Sequence, residues 1–133
     1  MSGRVFFDTN VLIYGMGTKD PRARRAEQLL FEGGVVSVQV LNEFCDVARR
    51  KIRMSWDDVR EALRVIQFFC PDPVPITMKT HEHALIIAER HDIRIYDALI
   101  LASALATNCA TLYTEDLKDG QVIDHRLTIR NPF

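Results

Sequence analysis

Four acidic residues stand out by their positions relative to the expected secondary-structure elements. Asp8 follows an apolar run that begins at Arg4, and Glu43 lies in the first half of a segment with helical periodicity. Asp97 opens a long apolar run, and Asp116 follows a short segment with β character. Ligands bind beyond the carboxyl ends of strands in open α/β sheets, so we expect these acids at one rim of a sheet.

The chemistry of such a cluster follows from the repulsion between its members. Carboxylates that are held close together raise one another's pKa, and a hard divalent cation removes that repulsion. Oxygen ligands without nearby Cys or His favour Mg²⁺ or Mn²⁺ over zinc. Such ions can deprotonate a water and hold the oxygens of an in-line attack on phosphate. The four acids therefore favour phosphodiester hydrolysis, and Asp119 is a possible fifth member.

Each acid also has a structural interpretation when it is taken alone. Asp8 and Asp97 are residue types that cap helix N-termini well. Glu43 fits an ordinary solvated helix face, and Asp116 and Asp119 fit turn positions. The joint pattern is a stronger signal than any single member.

The expected elements alternate between short strands and helices. Strands are expected at residues 4–8, 35–38, 74–77 and 111–114, with edge strands at 122–123 and 127–129. Helices are expected at residues 9–15, 20–33, 39–53, 55–70, 79–91 and 97–106. This alternation predicts a mainly parallel sheet wrapped by helices. Its 133 residues and 47% hydrophobic content suit one domain, 1–133, with one core.

Charge and cysteine content exclude several classes of protein. The formal net charge of −1 means that no global positive field attracts polyanions, so local clusters would have to bind them. Two such clusters are Arg22, Arg24 and Arg25, and Arg49, Arg50, Lys51 and Arg53. Arg50, one or two turns beyond Glu43, is the member best placed to reach the acids, and a solvated helix face is the alternative.

The three cysteines are odd in number and far apart, which favours reduced thiols over a disulfide framework or a zinc site. No apolar run has the length of a membrane span, and the first residues lack a signal-peptide pattern. We therefore expect a cytoplasmic protein.

Four short motifs carry a resemblance to a known family. They are Phe7-Asp8-Thr9-Asn10-Val11-Leu12-Ile13, Asn42-Glu43-Phe44, Tyr96-Asp97-Ala98-Leu99-Ile100 and Leu112-Tyr113-Thr114-Glu115-Asp116-Leu117. In order and spacing the motifs resemble the PIN domain, and more narrowly the VapC-type toxin ribonucleases of bacterial and archaeal toxin–antitoxin pairs. The resemblance runs from Asp8 to about Asp119.

That resemblance implies a three-layer α/β/α sandwich and roles for individual residues. The catalytic and metal-binding acids would be Asp8, Glu43, Asp97 and Asp116, with Asp119 a weaker addition. Thr9 and Asn10 would shape the loop of the first ligand, and Thr114 would position water or metal.

The resemblance also implies an activity and partners. The activity is endonucleolytic cleavage of RNA by a metal-activated water, with Mg²⁺ or Mn²⁺ as cofactor. The partners are the RNA substrate, a second copy in a homodimer and a small inhibitory antitoxin protein. Two alternatives remain, a phospho-receiver-like signalling domain and a PIN-like module that binds RNA or protein without catalysis.

Overall fold

The computed structural model describes residues 3–17 and 19–133. Its strands are β1 (Arg4–Phe7), β2 (Cys109–Tyr113), β3 (Val122–Ile123) and β4 (Leu127–Arg130). Its helices are α1 (Thr9–Gly17), α2 (Ala23–Glu32), α3 (Val38–Val47), α4 (Trp56–Phe69), α5 (Met78–His91) and α6 (Ile95–Ala106). A π-helical segment, Ala48–Ile52, continues directly from α3.

The strands form one sheet in the order β1-β2-β4-β3. β1 pairs with β2 and β2 pairs with β4 in parallel, whereas β3 and β4 are antiparallel. The register places Phe7 opposite Tyr113, so the carboxyl ends of β1 and β2 lie side by side. The expected α/β/α class with a mainly parallel central sheet is confirmed.

Two expected strands, at residues 35–38 and 74–77, are wrong. The chain makes only isolated parallel bridges there, between Phe6 and Val35 and between Ser37 and Val74. Residues 74–77 include Pro75, which has no amide to donate to a ladder, and end at Thr77, the N-cap of α5. Around Val35 the reason is the lack of room, because α2 ends at Glu32 and Ser37 is already the N-cap of α3. Too few residues remain between the two helices for a regular ladder.

The helix expected at residues 39–53 changes character part-way along. It is α-helical to Val47 and π-helical from Ala48 to Ile52, and it ends at Arg53, whose φ is 63°. The amide of Arg53 donates to the carbonyl of Ala48, five residues back, which is the bond that defines a π turn. The sequence predicts no such change, because α and π turns use the same residue types.

The other helix ends follow their capping residues. The hydroxyl of Ser55 accepts from the amide of Asp58 at 3.0 Å and starts α4, as the sequence predicts. The start expected for α2 at Asp20 is early, since the helix begins at Ala23. Asp20 instead forms a turn, in which its backbone carbonyl accepts from the amide of Ala23 at 3.0 Å.

The hydrophobic core lies between the sheet and the helices. Every residue of α6 from Ala98 to Leu105 is buried, as its apolar composition predicts. Phe6 on β1 and Leu112 on β2 are fully buried. The apolar spacing of α5 predicts that Leu85 faces inward, yet 50% of its surface is exposed. None of the helices within the described residues is long and apolar enough to cross a membrane.

Candidate active site

The four predicted acids line one cleft of about 450 Å³. Asp8 connects β1 to α1, and Asp116 follows β2, so the parallel pairing of these strands brings both to one rim. Glu43 reaches the cleft from α3, and Asp97 reaches it from the first turn of α6. The expectation that these acids gather at one edge of the sheet therefore agrees with their placement.

Asp8 is the most deeply buried acid of the cleft, with 4% of its surface exposed. Its carboxylate accepts hydrogen bonds from the amide of Thr9 at 2.6 Å and the hydroxyl of Thr114 at 2.7 Å. Burial raises the pKa of Asp8 to about 6. The two hydrogen bonds lower this pKa, while the negative charges of Asp116 and Glu43 raise it further.

Glu43 is held in place from both sides. The hydroxyl of Thr9 donates to one carboxylate oxygen of Glu43 at 2.9 Å, and the side-chain amide of Gln39 donates to the other at 3.0 Å. Thr9 thus contacts Asp8 through its backbone and Glu43 through its side chain. Thr9 therefore fixes the position of Asp8 relative to α3.

Asn10 connects the first loop to the late strand. Its side-chain amide donates to the hydroxyl oxygen of Thr114 at 3.3 Å and to the carboxylate of Asp116 at 3.2 Å. The backbone amide of Asp116 also donates to the Thr114 hydroxyl oxygen, at 3.1 Å. The Oδ1 atom of Asn10 is buried and accepts no hydrogen bond from any described residue.

Asp97 is half-buried, and its surroundings disfavour its charge. Burial raises its pKa, the positive charge of Arg94 opposes this, and the charges of Asp116 and Glu43 raise the pKa further. The same two neighbours act on Asp8, so the four acids form one electrostatic unit. Such mutual repulsion is what a bound cation would relieve.

Contacts among Tyr14, Arg22 and Glu115 form one side of the cleft, and the sequence did not predict them. The hydroxyl of Tyr14 donates to Glu115 at 2.5 Å, and the guanidinium of Arg22 pairs with Glu115 at 2.9 Å. Arg22 also lies 4.1 Å from the centre of the Tyr14 ring and pairs with Asp20 at 2.7 Å. The sequence carries no local signal for these contacts, because Tyr14 and Glu115 are 101 residues apart.

Two residues that were expected to support the site lie outside it. Asp119 accepts a hydrogen bond from the backbone amide of Asn131 at 2.8 Å, which makes it a turn residue. Arg50 is exposed and pairs with Asp46 at 2.6 Å. Among the described residues the cations that line the cleft are Lys51 and Arg94.

The sequence was compared with protein-family models and with curated proteins. The model of the PIN domain matches residues 5–119, which contain the four acids, β2 and all of β1 except Arg4. This chain belongs to the PIN domain family. No curated protein matches it.

Solved structures with the same fold come from several bacteria. This PIN domain is 21% identical to a chain of a toxin–antitoxin complex from Klebsiella pneumoniae, with 97% of this chain and 98% of that chain covered and a TM-score of 0.73. It is 20% identical to VapC20 of Mycobacterium tuberculosis, a toxin that cleaves the sarcin–ricin loop, with coverages of 84% and 89% and a TM-score of 0.67. It is also 21% identical to a chain of VapBC2 from Rickettsia felis, which was solved bound to a promoter DNA fragment. That match covers 96% of this chain and 97% of that chain, with a TM-score of 0.66.

The donor set of this PIN domain fits a hydrated divalent cation. Within residues 3–17 and 19–133 no group of three or more acidic, His or Cys side chains is arranged so that all of them could hold one metal ion. Mg²⁺ characteristically keeps several waters and binds through one or two carboxylates, so an open acidic cleft suits it. The unpartnered Oδ1 of Asn10 adds a neutral oxygen beside Asp116 that could accept from such waters.

Proposed function

We propose that this PIN domain is a metal-dependent endoribonuclease and acts as the toxin of a VapBC-type toxin–antitoxin pair. The observation that carries the proposal is the gathering of Asp8, Glu43, Asp97 and Asp116 at one cleft, from four separate parts of the chain. A core role does not account for them, because a fold gains nothing from four repelling charges at one rim.

Asp8, Glu43, Asp97 and Asp116 would hold a divalent cation, one or two of them directly and the others through its waters, and Mg²⁺ or Mn²⁺ matches these oxygen ligands. When bound, it supplies an acidified water and neutralises negative charge on a phosphate. The raised pKa of Asp8, about 6, and the raised pKa of Asp97 support this assignment, since both groups are poised for a nearby positive charge.

The remaining residues of the site would keep the acids in position. Thr114 and the amide of Thr9 orient the carboxylate of Asp8 by direct hydrogen bonds. Asn10 orients Asp116, and Gln39 with the Thr9 hydroxyl orients Glu43. Groups held by several bonds of this kind need little reorganisation when a substrate phosphate arrives.

The named structural relatives support the proposed partners. One is a toxin that cleaves the sarcin–ricin loop, which supports RNA as the substrate. Two others are complexes described as toxin–antitoxin or VapBC assemblies, which support a small antitoxin as the protein partner. We further propose that the protein acts in the cytoplasm as a homodimer.

The test is cleavage of a mixed RNA pool by purified, antitoxin-free protein in Mg²⁺, Mn²⁺ or EDTA. Asp8→Asn and Asp97→Asn should abolish metal-dependent cleavage while the circular dichroism spectrum stays native. Asp92→Asn is the matched control, because Asp92 is exposed and its φ of 52° suits Asn. Equal cleavage by wild type and Asp8→Asn would refute the proposal, and RNA binding without turnover would favour a non-catalytic module.

A further inference from the structure

The cations around the cleft divide into those with carboxylate partners and those without. Arg22 pairs with Asp20 and Glu115, and Arg50 pairs with Asp46. Lys51 and Arg94 also line the cleft, yet neither forms an ion pair with any described residue. These two side chains are therefore free to bind an anion that enters from solvent.

The π-helical segment explains why Lys51, and not Arg50, reaches the cleft. Arg50 is seven residues beyond Glu43, so in a continuous α-helix the two would share one face. A π turn contains one more residue, since its bond joins residues five apart instead of four. With Arg53 bonded to Ala48 in this way, Lys51 takes the direction that an α-helix would give to Arg50.

The charge balance of the cleft shows why two free cations matter. Its described lining residues include six acids and only two cations. A bound divalent ion would offset part of this excess, but a polyanion would still approach a largely negative surface. Lys51 and Arg94 are the positive charges within the cleft that could attract it.

We propose, on the basis of the proposed nuclease function, that Lys51 and Arg94 bind backbone phosphates of RNA at the cleft, and that the π turn places Lys51 there. Lys51 lies beside Asp46, whose pKa is lowered first by its bond to Arg50 and additionally by the Lys51 charge. Arg94 lies beside Asp97. The positive charges of Lys51 and Arg94 thus act on different acids of the cleft.

The direct test is the salt dependence of RNA binding. A fluorescein-labelled single-stranded RNA is titrated with full-length protein in Ca²⁺, which replaces Mg²⁺ to slow turnover, over a series of salt concentrations. Each lost phosphate contact should flatten the plot of log K against log salt by about 0.7. Lys51→Gln and Arg94→Gln should each show this change and weaken binding about threefold at low salt.

Three further variants make the test specific. Lys79→Gln removes an exposed lysine charge on α5 and should leave the slope unchanged. Lys51→Arg should restore the slope, because it keeps the charge. Arg50→Gln, which would matter most in an α-helical register, should change the slope by less than half as much as Lys51→Gln. An equal or larger effect of Arg50→Gln would overturn the role of the π turn.

Cleavage kinetics in Mg²⁺ separate this inference from the nuclease proposal. Lys51→Gln should raise KM with little change in kcat, because a phosphate contact made in both the bound state and the transition state acts on binding. Cleavage by wild type with no change of slope in either variant would refute only the proposal that Lys51 and Arg94 bind phosphates. Slopes that change as expected without wild-type cleavage would refute only the proposed nuclease function. If the protein bound no RNA at all, the proposed phosphate binding by Lys51 and Arg94 would be refuted.

Discussion

The hydroxyl of Thr114 donates a 2.7 Å hydrogen bond to the buried carboxylate of Asp8, which precedes it by 106 residues. The same oxygen accepts from the backbone amide of Asp116 at 3.1 Å and from the side chain of Asn10 at 3.3 Å. One hydroxyl therefore fixes the geometry between two of the proposed metal ligands. Its removal should affect folding and activity together.

Thr114→Val keeps the shape of the side chain and deletes this hydroxyl. The free energy of unfolding should fall by about 1–3 kcal/mol, because the buried Asp8 carboxylate loses a donor and the Asp116 amide loses its acceptor. Cleavage should fall about 10- to 100-fold as the acids lose their alignment. Urea denaturation and RNA cleavage measure the two effects. Thr114→Ser retains the hydroxyl and should recover most of both losses; a Val variant as active as wild type would contradict the positioning role.

The stability of metal-free protein should depend on the ionisation of Asp8. Its pKa is about 6 in the folded protein against an ordinary value of 3.8, so the folded state binds more protons between these values. The contribution of Asp8 to the free energy of unfolding therefore decreases as pH rises through about 4 to 6, by about 3 kcal/mol. Urea denaturation in EDTA of wild type and Asp8→Asn isolates this term as the difference between their pH profiles. A difference that does not change across this range would contradict the burial effect.

Magnesium should stabilise the wild-type protein against unfolding. A ligand that binds only the folded state adds about 2.7 kcal/mol at 100 times its Kd. At pH 8, where Asp8 is ionised, Tm should rise with Mg²⁺ in wild type and in Asp92→Asn. The rise should be lost in Asp8→Asn and reduced in Asp97→Asn, as measured by scanning calorimetry. An equal rise in all four proteins would place the ion elsewhere.

Tyr14 should ionise at unusually high pH. Its pKa is raised to about 12, and burial is the largest cause. The hydrogen bond to Glu115 and the negative charge of Glu115 raise the pKa further. The neutral form of Tyr14 should therefore persist through pH 10, and its tyrosinate absorbance should appear only at higher pH. Ultraviolet titration of wild type and Tyr14→Phe should differ only in this last phase. An early phase missing from Tyr14→Phe would show that the contact with Glu115 is not formed in solution.

Three of the four acids were predictable because each stands next to a boundary with a local signal, whereas Glu43 lies inside α3. Asp8 follows an apolar strand, and Asp97 lies at the start of a helix that is apolar on all sides. The order of the elements then implies one rim, since parallel strands present their carboxyl ends together. Local signals of this kind depend only on neighbouring residues, which any single sequence contains.

The parts that could not be predicted depend on contacts between distant residues or on small energy differences. The segments around Val35 and Val74 have β character, but the start of the next helix limits each of them to a single bridge. The π turn at Ala48–Ile52 differs from an α turn by one residue, so the expectation for Arg50 used the wrong register. Leu85 follows the apolar spacing of α5 but lies at its exposed edge.

The pairing of β1 with β2 bears on how the protein is made. Asp8 leaves the ribosome early, yet Thr114 and Asp116, which hold and complete its surroundings, are synthesised more than a hundred residues later. Contacts this distant in sequence form only after the intervening chain is available. The acidic cleft of a nascent chain would thus remain incomplete until β2 has emerged.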